Sequence, residues 1–171
     1  DEYAFYQMLI GSWPPELSGG VIPDADSLDA FRLRIEAAMI KAIREARLHT
    51  TWASPDENYE AATLAFIRRA LDLSGKNLFL ESFVGFQRRV ALLGWRNSLV
   101  QLVLKFTAPG VPDIYQGAEQ WDFSMVDPDN RRPVDFEARV RPLRSGGGLV
   151  DLVENWHDGL LKQNITQKLL H

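Results

Sequence analysis

The amino-acid sequence predicts a mainly α-helical chain of 171 residues. Apolar side chains recur at three-to-four-residue spacing through most of its length, glycine and proline clusters separate those stretches, and only Val111 to Tyr115 reads as a strand.

Glu2 to Gly11 is dense in large apolar groups, with Tyr3, Phe5, Tyr6, Met8, Leu9 and Ile10, and predicts a short buried helix closed by Gly11. From Ser12 to Asp24 the chain carries Pro14, Pro15, Gly19, Gly20 and Pro23, which exclude regular structure. Asp26 or Ser27 can cap the next helix, whose stripe is Leu28, Phe31, Ile35, Met39, Ala42 and Ala46. Its Arg32 and Glu36, and its Lys41 and Glu45, stand four apart and predict a solvated outer face. Ser54 to Glu57 reads SPDE: Ser54 as cap, Pro55 at the first helical position and Glu57 returning to the Ser54 amide. Tyr59, Ala62, Phe66, Ile67 and Ala70 give that helix its buried face, and Ser74-Gly75 its stop. Leu78 to Leu93 predicts another helix, with Phe79, Phe83, Phe86 and Val90 inward and Gln87, Arg88 and Arg89 outward. After Gly94 the pattern resumes through Leu99, Leu102, Val103 and Phe106, then breaks at Pro109-Gly110 and Pro112. Beyond the lone strand lie a polar-aromatic loop to Asp135, a helical turn from Phe136 to Val140 and a glycine break at Gly146 to Gly148. Two helical segments follow, Leu149 to Trp156 and Leu160 to His171.

Composition narrows the function classes. The chain is 46% apolar and 25% charged with a net charge of −4, which fits a folded globular domain and leaves no basic footprint for nucleic acid or a membrane surface. The absence of cysteine excludes disulfides, thiolate zinc sites and a cysteine nucleophile, and fits a cytoplasmic protein. No apolar run approaches a spanning helix. The chain starts at Asp1 and ends inside an amphipathic stretch, so a piece of a longer protein is expected.

Chemistry-bearing residues concentrate in one loop. From Tyr115 to Asp135, the aromatic Tyr115, Trp121 and Phe123 interleave with Glu119, Asp122, Asp127, Asp129, Asn130, Arg131 and Arg132. A sugar ring offers its C–H face to an aromatic side chain and paired hydroxyls to carboxylate, amide and guanidinium groups. A rigid surface loop, with Asp capping turns, Arg neutralising Asp and Trp covering the core, has the same composition. An EF-hand fails, because Arg131 and Arg132 stand where an oxygen ligand and a glycine are required. His49, His157 and His171 have no metal-ligand spacing, so zinc is unsupported. His49 is expected to cap a helix end, and Trp52 to lie in the core rather than serve as a sugar platform. The nucleophile-elbow, phosphate-loop and dinucleotide glycine motifs are all missing from the sequence, and no cofactor is implied.

The block PGVPDIYQGAE, Pro109 to Glu119, resembles the eighth-strand motif of glycoside hydrolase family 13, the α-amylase family. The following WDFSMVDPDNRRPVDF, together with REARLHTTWASPDENYE at Arg44 to Glu60 and WHDGLLKQNITQKLL near the end, is similar to the trehalose-forming branch of that family. The resemblance implies a piece of a parent (β/α)8 barrel. Residues 1–93 would be a helical insertion region, 94–145 a helix with the eighth strand and its substrate-facing loop, and 146–171 closing helices, all in one compact unit. It implies an intramolecular transglycosylase, an isomerase of trehalose biosynthesis, that converts the reducing-end α-1,4 bond of a maltooligosaccharide into an α,α-1,1 bond. The family's Asp nucleophile, Glu acid/base and stabilising Asp lie on earlier strands, its His-Asp pair would fall just before Asp1, and none of these motifs is found here. No catalytic residue is therefore assigned, and Glu119 is not taken as the acid/base. Arg131 and Arg132, with Asp127, Asp129 and Asn130, are expected to hold or frame the two terminal glucose units, alongside Trp121, Glu119 and Tyr115. The expected partners are a maltooligosaccharide and the rest of the barrel. A free-standing helical sugar-binding or interaction module without catalysis is the alternative.

Overall fold

The computed structural model describes residues 1–18, 22–145 and 148–171, with the side chains at 144 and 145 outside the description. Gly19, Gly20, Gly146 and Gly147, expected from sequence to break the chain, lie outside the described residues. The helices are α1 (Glu2–Ser12), α2 (Ala25–Ala46), α3 (Glu57–Ala70), α4 (Leu78–Thr107), α5 (Phe136–Ser145), α6 (Leu149–Glu154) and α7 (Leu160–Leu170), with short 3-10 turns at Pro15–Leu17, Asp129–Arg131 and Trp156–Asp158. The mainly α expectation holds. The strand does not form: 111–115 has no regular secondary structure, and no described residue is in a strand. A strand exists only by hydrogen bonding to another, and the described residues offer none.

Two compact units emerge, one from Asp1–Gln87 with Phe123–Arg131, the other from Arg88–Asp122 with Arg132–His171. The boundary at residues 93 and 94 expected from sequence falls within α4.

In the first unit, α1, α2, α3 and the start of α4 bury Phe5, Leu9, Trp13, Leu28, Phe31, Ile35, Met39, Ile67 and Leu80 in one cluster. Trp13 meets Phe31 and Phe83 edge-on, with ring centroids 5.3 Å and 4.9 Å away, a geometry favoured by the aromatic quadrupole. The helix starts differ from the expected ones. Asp24, not Asp26 or Ser27, caps α2 by accepting from the Ser27 amide at 2.9 Å. Asp56, not Ser54, caps α3 by accepting from the Tyr59 amide at 3.0 Å. Ser54 is drawn instead into a preceding turn, where its amide donates to Thr51 Oγ1 at 2.9 Å. Ile43 rather than Ala46 completes the α2 stripe, since Ile43 is buried and Ala46 exposed. Phe66 is 38% exposed and Ala62 is exposed, so Ile67 carries most of the α3 contact.

Ion pairs close this unit. Glu36, expected in solvent, is buried and receives Arg68 at 3.0 Å and Arg32 at 2.5 Å, two cations that hold its carboxyl below its ordinary pKa. Glu60 is gripped by both arms of Arg44, at 2.7 Å and 2.6 Å, and by the Thr50 hydroxyl at 2.6 Å. That lowers its pKa to about 2, the Arg44 hydrogen bonds contributing most.

Gly94 does not end a helix, and α4 runs unbroken for 30 residues. A helix-interior glycine costs only about 1 kcal/mol relative to alanine, which the surrounding strong helix formers offset. Gln87 is buried rather than outward, while Phe86 and Val90 are 49% and 37% exposed. In the second unit Leu102, Leu161 and Thr166 are buried, but Leu93, Val100 and Leu104 on α4 stay more than half exposed.

Candidate functional site

The sequence-predicted site residues divide between the units. Asp127, Asp129, Asn130 and Arg131 belong to the first, and Tyr115, Glu119, Trp121 and Arg132 to the second.

In the first unit the stretch Phe123–Arg131 is tied to α2. Arg34 forks onto Asp129, Nε to Oδ1 at 2.8 Å and Nη2 to Oδ2 at 2.9 Å, and also donates to the Phe123 carbonyl at 2.9 Å. The Asp129 Oδ2 accepts the Met125 amide at 2.7 Å, and Met125 is buried in the core cluster. Lys41 donates to the Asp127 carbonyl at 2.6 Å. Arg34 and Lys41 are about two helical turns apart and so share a face of α2. Within the loop, Val126 and Pro128 carbonyls accept the amides of Asp129 and Arg131, at 3.2 Å and 3.0 Å, and the Asp127-Pro128 peptide is cis.

Asp127 and Arg131 form an ion pair near the surface, their side chains 45% and 76% exposed. Asn130 is exposed, whereas the Asp129 side chain is only 10% exposed. The carboxylate of Asp129 is thus spent on the protein's own cations and amides. Arg131, although paired through Nε with Asp127, and Asn130 are both exposed, and their side chains carry donors suited to paired hydroxyls.

In the second unit, Trp121 donates from Nε1 to the Trp156 carbonyl at 2.6 Å, and the two indoles meet edge-on. Lys162 lies 5.5 Å from the Trp121 ring and donates to the Gln120 carbonyl at 3.0 Å. Burial lowers the pKa of this ammonium, while Asp122 and Glu119 oppose the shift. Gln163 bridges the Gln120 side chain at 2.9 Å and the Arg139 carbonyl at 2.5 Å. Arg139 in turn reaches Glu119 at 3.5 Å and the Gly117 carbonyl at 3.0 Å. Gly117 has φ +87° and Gly159 φ +79°, and a Cβ on Gly159 would meet the Gln120 Cβ at 2.9 Å. Only glycine permits both the left-handed turn and this approach of α7 to the segment before Trp121. Tyr115 is 63% exposed, and Arg132 is exposed.

Sequence reasoning missed Arg34, Lys41, Arg139, Lys162 and Gln163, which hold the loop residues it found. Their partners lie up to 95 residues away, and helix periodicity carries no signal for such pairings. Trp52 is not in the core: it is 58% exposed, with the Arg44 guanidinium 4.8 Å from its ring. His49 lies against Tyr59, with ring centroids 4.6 Å apart and planes tilted by 31°, and the α2 C-cap is Arg47 in the left-handed region at φ 57°. A cleft of about 800 Å3 lined by Leu28, Leu33, Arg32, Arg68 and Leu71 holds none of the sequence-predicted site residues. No described helix is long and apolar enough to cross a membrane.

No family model matches the chain. A Mycobacterium tuberculosis (strain H37Rv) protein provisionally named a maltooligosyl trehalose synthase is 37% identical over 140 residues, covering 82% of this chain and 17% of that protein. A maltooligosyl trehalose synthase crystal structure aligns over 99% of this chain and 22% of its own, with TM-score 0.84 and 34% identity. The enzyme of that name from Arthrobacter ramosus aligns over 99% of this chain and 20% of its own, with TM-score 0.75 and 31% identity. The chain spans about a fifth of the length of the relatives it matches. Nearly its whole length therefore belongs with the maltooligosyl trehalose synthases, as the counterpart of one segment of those larger enzymes.

Proposed function

We propose that this chain supplies one wall of the active site of an intramolecular transglycosylase of glycoside hydrolase family 13. That enzyme would convert the reducing-end α-1,4 bond of a maltooligosaccharide to α,α-1,1, as a cytoplasmic isomerase of trehalose biosynthesis. The observation that carries the proposal is the alignment of nearly all of the chain with maltooligosyl trehalose synthases at 31 and 34% identity. In this reading residues 1–93 are an insertion in the parent barrel, 94–145 carry its eighth strand position and substrate-facing loop, and 146–171 close it. The rest of the barrel is the main partner and supplies the nucleophilic Asp, the acid/base Glu and the stabilising Asp.

The chemistry states what such a wall must do. The bond from C1 to the O4 of the last glucose breaks, O4 takes a proton, and that same glucose must turn so that its anomeric O1 attacks C1 and gives up its proton. Water reaching C1 first produces hydrolysis instead. The wall must hold the detached glucose and exclude water while it turns. Arg131 and Arg132, with Asp127 and Asn130, would bond its hydroxyls. Trp121 and Tyr115 would offer aromatic faces, and Asp129 and Glu119 would frame the loop.

Maltopentaose supplied to the full-length protein bearing this chain tests the proposal. Reducing ends should disappear without matching release of glucose, and glucose as the main product would overturn it. A free-standing helical module without catalysis draws support from the self-contained core of the first unit, and predicts no product from maltopentaose at all.

A further inference from the structure

We infer that Arg34 is a positioning residue for the reaction, setting from α2 the loop that carries Asp127 and Arg131. The inference rests on the functional reading above and adds to it a residue outside the loop. Asp129 is the connecting group. It stands two residues from both Asp127 and Arg131, and its two carboxylate oxygens take the Arg34 fork and the Met125 amide. The pair is largely withdrawn from water, with side chains 19% and 10% exposed, so the fork is held in a setting where charge-assisted hydrogen bonds are strong. The third contact of Arg34, on the Phe123 carbonyl, fixes the start of the loop, and Lys41 fixes the Asp127 carbonyl. One α2 face thus anchors the loop at Phe123, Asp127 and Asp129, leaving the Arg131 side chain as the group that projects into solvent. Lysine cannot reproduce the fork, because its ammonium is a single point donor.

The test uses the full-length protein bearing this chain, with two readouts. The first is a double-mutant cycle on maltopentaose turnover between Arg34 and Arg131, which the loop links through Asp129. Arg34→Ala should lower kcat/KM about a hundredfold, the scale of a misplaced contact, and Arg34→Lys about tenfold. Adding Arg131→Ala to Arg34→Ala should cost far less than Arg131→Ala alone. Penalties that multiply, or Arg34 variants with wild-type kcat/KM, would overturn the inference, and Arg34→Lys serves for the cycle if Arg34→Ala does not fold. The second readout needs no activity: trypsin cleavage between Arg131 and Arg132, followed by mass spectrometry, should be at least about tenfold faster in Arg34→Lys than in wild type if the loop is released. An unchanged cleavage rate overturns the positioning role whatever the enzyme does. A wild-type protein that makes no non-reducing product condemns the functional reading, while the cleavage result still decides Arg34.

Discussion

In the first unit α1, α2, α3 and the start of α4 share one apolar core, whereas along α4 beyond Gln87 and through α5 to α7 many large apolar side chains stay exposed and few, such as Leu102 and Leu161, are buried. Ile35, Leu9 and Ile67 are wholly buried, yet Leu93, Leu104 and Val150 are each 60% exposed or more. The same contrast runs through the polar groups. In the first unit Glu36, Glu60 and Asp129 are each gripped by arginine forks, while Arg141 and Glu137 on α5 form a pair with side chains 77% and 86% exposed. A helix apolar around most of its girth suits the interior of a larger protein, and contiguous exposed apolar surface marks an interaction face. The first unit carries its own reasons to fold. The second leaves Leu93, Val100, Leu104 and Val150 more than half exposed.

The contrast can be broken by substitution in the 171-residue chain. Ile35→Ala should show the largest loss of stability, about 2–5 kcal/mol in urea unfolding, because it empties a packed site. A loss under about 1 kcal/mol would show that the core is loosely packed. Acid should act next, with Glu60 among the carboxylates through which it does. Its folded pKa is depressed to about 2 from 4.5, so its contribution is fully present above about pH 4.5 and is lost as pH falls toward 2. Thermal midpoints recorded across that window should fall in the wild type and depend less on pH in Glu60→Gln.

Asp56→Ala should cost about 1 kcal/mol by removing the α3 cap, with Ser54→Ala costing less; the reverse order in paired unfolding curves would restore the cap expected from sequence. Leu104→Ser should be the smallest, within about 0.5 kcal/mol, since the side chain is 60% exposed. A cost above about 2 kcal/mol there would mean that α4 is covered in solution, for instance by a second copy of the chain.

These outcomes also mark what sequence can carry. The stripe from Leu28 to Met39 was legible because burial repeats with the helix period, and the loop from Tyr115 to Asp135 because its residue types are unusual together. The caps were misplaced by two or three residues because Asp24 and Asp26, or Ser54 and Asp56, are equivalent cappers until the path of the chain selects one. The break at Gly94 failed because a lone glycine is a weak signal against flanking helix formers. Asp129 read as a sugar ligand type, but its fork to Arg34 joins residues 95 apart and leaves no periodic trace. The expected strand at Val111 to Tyr115 has the composition of a strand without the partners that make one.

The most direct test of the central claim remains the fate of maltopentaose with the full-length protein. Loss of reducing ends with the chain length preserved, and little free glucose, is the predicted result. Glucose and maltooligosaccharides with intact reducing ends would contradict it.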